Sequence, residues 1–210
     1  VYTFDLYGDL KFSDGSAITA KDYAFSILLT ASPELAKLGG QSAAVGAILG
    51  MDAYQSGKSS VLRGVRLLSD TQMSITISKA YEPYFYEMAL FDYSPYPISV
   101  LAPGCKVVDT EKGVGIVNAS GTGNAIFTAA LLQKTILDAA TGYMSHPSVV
   151  SGPYTLTSYD AQSATASFAI NPYYKGNEEG EKPTIETIVY RTVANDEAID
   201  LLLSGEVDLL

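Results

Sequence analysis

The 210-residue chain has one cysteine, one histidine, no tryptophan, and 13 basic residues against 23 acidic ones. The lone Cys105 leaves no partner for an internal disulfide. Together with the lone His146 it cannot supply the several nitrogen and sulfur ligands of a conventional zinc site. No G-x-S-x-G elbow occurs, so a hydrolase using His146 has no nucleophile motif; beside Pro147 the imidazole reads as a surface or packing residue. A net charge of −10 disfavours binding to a phosphate backbone or to an anionic membrane surface. No apolar run is long enough for a membrane-spanning helix. The 17% charged and 47% hydrophobic fractions describe a globular chain rather than a disordered one. Its length allows one large or two small domains.

What the sequence does have is alternation. Tyr2, Phe4 and Leu6 alternate with Thr3, Asp5 and Tyr7, which predicts a first strand. Thr19 is placed to cap a helix with Asp22 in its first turn, and Tyr23, Phe25, Ile27, Leu28 and Leu29 give that helix a broad apolar face. Met51 to Gln55 predicts a short helix. Residues 64–69 and 72–79 predict a hairpin about Asp70 and Thr71, with Met73, Ile75 and Ile77 on one face. Pro83 opens a further predicted helix carrying Tyr84, Phe85, Met88, Ala89 and Phe91. Residues 104–123, rich in glycine and small residues, read as a surface excursion. A helix follows over 126–137 with Gly142 as its C′ residue. Asn195 is expected to cap a last helix ending at Gly205, and residues 207–210 read as strand. Nine of the 23 acids lie between residues 178 and 208, a distribution that reads as a solvated acidic face rather than a cation site.

Residues 151–176 carry the most specific pattern. Gly152-Pro153 is a turn pair, Tyr154 to Asp160 and Thr165 to Ile170 are two strands, and Asn171-Pro172 stops the second because proline cannot donate to a sheet ladder. Gly152-Pro153-Tyr154, a hairpin, Asn171-Pro172-Tyr173-Tyr174, a further strand and a closing Ser204-Gly205-Glu206-Val207-Asp208 together resemble the family 5 extracellular solute-binding proteins of ABC transporters. This is the family of oligopeptide-, dipeptide- and nickel-binding proteins. An N-terminal block supports the resemblance: Tyr2 to Leu6, then Lys11-Phe12-Ser13-Asp14-Gly15-Ser16 and Ile18 to Tyr23, in the family's order and spacing.

The resemblance implies an α+β (mixed α/β) fold, part of a periplasmic-binding-protein-like class II lobe. It implies residues 1–104 as the smaller subdomain of the first lobe, 105–150 as a helical connection and 151–210 as part of the main subdomain, with the second lobe absent from this chain. It implies capture of peptides or a similar small solute outside a bacterial membrane and delivery to ABC permease subunits, by a monomer that catalyses nothing and uses no cofactor. The protein would be a membrane-anchored lipoprotein or periplasmic. The chain reads as a trimmed piece, expected to bind weakly by itself. The alternatives are a sensory or adhesive module that uses the fold without transport and a hydrolase using His146.

Site candidates are few. Gly57-Lys58-Ser59-Ser60 suggests a phosphate loop, but Asp52 stands where that motif needs its first glycine, and its carboxylate would repel phosphate. Gly113-Val114-Gly115 and Gly121-Thr122-Gly123 have no strand–glycine–helix order around them. Tyrosine is in excess at 15 residues, and it is both a rigid amphipathic contact residue and a common strand residue. By resemblance, Tyr93, Ser94 and Tyr96 border the ligand space; the competing reading is aromatic packing around Pro95 and Pro97. A tyrosine that some oligopeptide-binding relatives place after the first helix has no counterpart in residues 39–44.

Overall fold

Thr19 starts the central helix in the expected way. Its Oγ1 accepts from the Lys21 N–H at 3.3 Å, and the Asp22 carboxylate accepts from the Thr19 N–H at 2.8 Å, closing a capping box. The computed structural model describes residues 1–40, 47–82 and 91–210. The helix predicted from Pro83 lies outside these residues, apart from Phe91.

Helix α1 (Ala20–Thr30) buries more than one face: Ala24, Phe25, Ser26, Ile27, Leu28 and Leu29 are all inside. Such a helix needs cover on more than one side. One cover is an antiparallel sheet of β1 (Tyr2–Asp5), β2 (Val65–Ser69) and β3 (Gln72–Ile75), ordered β1-β3-β2, whose buried Val65, Met73 and Ile75 join the same core. The other is a hairpin of β4 (Cys105–Thr110) and β5 (Gly113–Asn118), which contributes Val107 and Val114. Short helices complete the shell: α2 (Pro33–Ala36), α3 (Met51–Gln55), α4 (Ile98–Leu101) and α5 (Ala129–Thr135). Met51, Tyr54, Leu101 and Leu132 are their buried contributions.

The hairpin corrects the expected surface excursion over residues 104–123. Its glycines serve close approach. A Cβ built on Gly113, whose φ is +131°, would stand 2.4 Å from the Leu62 carbonyl oxygen. Without one, Leu62 and Val114 exchange backbone hydrogen bonds of 2.7 and 3.1 Å, and both side chains are fully buried. Three smaller corrections follow. Helix α5 is shorter than 126–137, so Gly142 lies beyond its cap at Ile136. Asn195 does not cap the last helix, α6 (Ala198–Ser204), which Glu197 precedes; Gly205 ends it in the left-handed region. Residues 207–210 form no strand.

The third sheet is antiparallel: β6 (Tyr154–Asp160), β7 (Thr165–Ile170) and β8 (Thr187–Arg191), in that order. It leaves Tyr159, Val189 and Tyr190 exposed, and α6 exposes Ile199 and Leu203. A specific joint ties it to the N-terminal block. The Ser13 N–H donates to the Val150 carbonyl at 2.8 Å, and the Val150 N–H donates to Ser13 Oγ at 3.0 Å. Lys175 pairs with Asp9 at 2.5 Å, and Lys11 Nζ stands 5.7 Å from the centre of the Tyr173 ring. Asn171 is buried because its polar atoms are satisfied: Nδ2 donates to the Gly152 carbonyl at 2.8 Å, and Oδ1 accepts from the Tyr173 N–H at 3.0 Å.

Candidate ligand-bordering loop

Residues 92–97 carry two buried prolines, Pro95 and Pro97, with Asp92 and Ser94 exposed before them. Proline fixes its own φ and restricts the residue before it, so the loop has few backbone alternatives. Helix α1 pins it from below. Ser26, polar in a buried run, donates its hydroxyl to the Asp22 carbonyl at 3.0 Å and accepts from the Tyr96 N–H at 2.9 Å. The Tyr96 ring meets Tyr143 edge-on, with centroids 6.4 Å apart. Tyr143 in turn donates its hydroxyl to the Val149 carbonyl at 2.6 Å. The loop is thereby linked through Tyr143 to the 149–150 segment that holds Ser13.

The three expected site residues differ in placement. Tyr93 and Tyr96 are half-buried and pack against the main core. Ser94, between them, is exposed. Burial pushes the Tyr93 phenol up, and burial together with the nearby Tyr96 pushes Tyr143 up to about 12, so these rings are neutral at physiological pH. None of the three lines either cavity described below. Ser26 and Tyr143 were missed at the level of sequence. Ser26 had a signal, a polar residue on the buried face of an amphipathic helix; Tyr143 had none.

Two concavities lie elsewhere. An open groove of about 490 Å³ runs between α2, α3 and β5, walled by Pro33, Glu34, Tyr54, Ile116, Asn118 and Phe127. A smaller one of about 180 Å³ holds Lys134, Tyr143, His146 and Ser148. His146 is exposed there and meets the Tyr159 ring edge-on at 6.2 Å. Its backbone N–H donates to the Gly142 carbonyl at 2.9 Å, and no hydrogen bond joins it to a serine among the described residues. Among the described residues, no group of three His, Cys, Asp or Glu side chains is placed to hold a metal ion.

The whole chain, residues 1–210, matches the family profile described as bacterial extracellular solute-binding proteins, family 5 Middle. The oligopeptide-binding protein OppA of Lactococcus lactis subsp. lactis IL1403 is 27% identical over 212 residues, covering 99% of this chain and 30% of that protein. The periplasmic oligopeptide-binding protein OppA of Escherichia coli K12 is 33% identical over 99 residues, 46% of this chain and 18% of that protein. The structure of lactococcal OppA complexed with an endogenous peptide in the closed conformation superposes with a TM-score of 0.67 at 22% identity, covering 98% of this chain and 32% of that one. Haemophilus influenzae OppA in complex with RPPGFSPFR gives a TM-score of 0.60 at 17% identity, covering 98% of this chain and 33% of that one. The mixed helix-and-sheet architecture is that of these solute-binding lobes. The chain spans about a third of the length of the relatives it matches end to end.

Proposed function

The chain belongs to the bacterial extracellular solute-binding proteins of family 5, and from that premise we propose that the full-length protein carrying it captures oligopeptides outside the membrane and delivers them to the permease subunits of an ABC importer. The observation that carries this reading is the end-to-end match of residues 1–210 to the family, with oligopeptide-binding relatives covering 99% of the chain. Capture proceeds by closure of two lobes about a hinge, without catalysis. The present residues supply part of one lobe. The protein acts as a monomer, held at the membrane by a lipid anchor or free in the periplasm.

In this reading Tyr93, Ser94 and Tyr96 border the ligand space. Supporting it, Ser94 is exposed between two tyrosines whose loop is fixed by Ser26 and Tyr143. Such a surface offers aromatic and hydroxyl contacts at little ordering cost. Native mass spectrometry of the full-length protein, purified from rich medium, tests the reading. A ladder of co-purified peptides, released on denaturation, is expected. A clean apo mass, together with no calorimetric response to a mixed peptide pool, overturns it. Residues 1–210 alone are expected to fall short of micromolar peptide affinity.

A further inference from the structure

The groove between α2, α3 and β5 is separate from the Tyr93–Tyr96 loop, and its wall has a distinct chemistry. Its volume of about 490 Å³ lies within the usual range for small-molecule sites. The apolar wall comes from Pro33, Tyr54, Ile116 and Phe127. Most polar groups around it are already committed. The Tyr54 hydroxyl donates inward to the Leu28 carbonyl at 3.3 Å, so the groove meets its ring. Ser59 Oγ donates to the Val61 carbonyl at 2.6 Å. Asn118 spends its whole amide on the neighbouring loop: Nδ2 donates to the Thr122 and Asn124 carbonyls, and Oδ1 accepts from the Ile126 N–H at 2.9 Å. That side of the groove is therefore a built wall.

Glu34 is the exception. Among the described residues it is the one carboxylate on the wall, and its side chain is 27% exposed. One of its oxygens takes Lys37 Nζ at 2.9 Å; the other has no hydrogen-bond partner among the described residues. Lys37 itself is 61% exposed and can be released to water at little cost. Among the described residues, no cationic side chain lines the groove. The pattern is one negative acceptor beside aromatic and branched apolar surface.

We propose that this groove binds a small organic cation with an aromatic or branched apolar body, its protonated nitrogen on the free oxygen of Glu34 and its body against Tyr54 and Phe127. Charge complementarity selects the occupant. An anion would face Glu34, and a neutral apolar molecule would leave the carboxylate unused. The site is independent of the peptide-capture reading and stands or falls without it.

The test titrates phenethylamine, neutral phenylpropanol and anionic hydrocinnamate into the protein, followed by ligand-observed nuclear magnetic resonance. Phenethylamine is expected to bind best and hydrocinnamate not at all. Glu34→Gln should weaken phenethylamine about tenfold, the loss of one charge-assisted hydrogen bond, and leave phenylpropanol unchanged. Ala125→Trp, which fills the groove from an exposed position, should abolish binding of both. Circular dichroism of each variant establishes that it is folded. No phenethylamine signal at millimolar probe, equal binding of the three probes, or binding that survives Ala125→Trp would each overturn the proposal.

Discussion

Gly113→Ala tests the main feature that the sequence concealed, the docking of the 105–118 hairpin on the core. Two costs add. Gly113 sits at φ +131°, where an L side chain is strained, by about 1 to 3 kcal/mol. The new Cβ would stand 2.4 Å from the Leu62 carbonyl oxygen and 2.8 Å from the Arg63 Cα. Backbone cannot swing away as a side-chain tip can, so β5 must separate from residues 62–63. That breaks the reciprocal Leu62–Val114 backbone pair, about 1 kcal/mol for each hydrogen bond. The expected loss is about 3 to 5 kcal/mol, a large share of the about 5 to 15 kcal/mol that stabilises a typical domain. Gly121→Ala is the control. Its φ is +75°, but among the described residues no atom beyond its chain neighbours lies within 4 Å of the added Cβ, so only the conformational cost of about 1 to 2 kcal/mol applies. Urea unfolding followed by far-ultraviolet circular dichroism measures both. Equal losses for the two variants would refute the close-approach argument and leave backbone conformation alone as the reason for Gly113.

Three further outcomes are expected. Ser26→Ala strands the Tyr96 N–H in a part-buried site, so it should cost about 1 to 3 kcal/mol and speed hydrogen exchange at the Tyr96 amide; unchanged exchange there would show that the loop is held by Pro95 and Pro97 instead. Asp22 has its pKa raised, chiefly by burial, against the opposing hydrogen bonds from Thr19. The folded chain therefore keeps this proton to higher pH than the unfolded chain does. The resulting stabilisation is complete below the unfolded value of about 4 and is lost as pH rises through the raised folded value. Asp22→Asn should remove that acid-side contribution, and parallel stability–pH curves for the two proteins would contradict it. Cys105 is buried and its thiol pushed up by burial, so Ellman's reagent should label it slowly in the native protein and rapidly in urea; fast native labelling would show that the mouth of the hairpin opens.

Legibility in the sequence followed the kind of constraint involved. Where a rule is local, the residues showed it: Thr19 and Asp22 form their capping box, Met73 and Ile75 are buried in the core, and Asn171-Pro172 ends β7. The missed elements depend on what lies across space. Residues 104–123 looked like a loop because their glycines weaken a strand taken alone. Gly113 and Gly115 are there because the backbones of Leu62 and Ser60 come too close for a Cβ. Asn195 has the right chemistry for a cap, yet the chain turns through Glu197 before α6 begins. Gly205 fared better, because ending a helix in the left-handed region is a local requirement.

The candidate loop shows the same division at finer scale. Tyrosines flanked by prolines made residues 93–96 visible as a composition, and the rival readings of ligand border and aromatic packing could not be separated there. The structure shows how the packing is made. Tyr96 is tied by its backbone to Ser26 and by its ring to Tyr143, and Tyr93 packs on the core, while Ser94 alone faces solvent. Packing and ligand contact are thus compatible in one loop, since a binding surface needs rigid neighbours to hold its exposed group in place. The groove behind Glu34 had no sequence signature at all. Its wall draws on α2, the α3 turn, β5 and the loop after it, the first two lying more than fifty residues before the last two. Its charge pattern depends on which hydrogen bonds Ser59, Asn118 and Tyr54 have already made within the fold. A single acidic residue in a Pro33-Glu34-Leu35 turn is unremarkable in one dimension; it becomes a candidate contact only when its neighbours have spent their own polar groups.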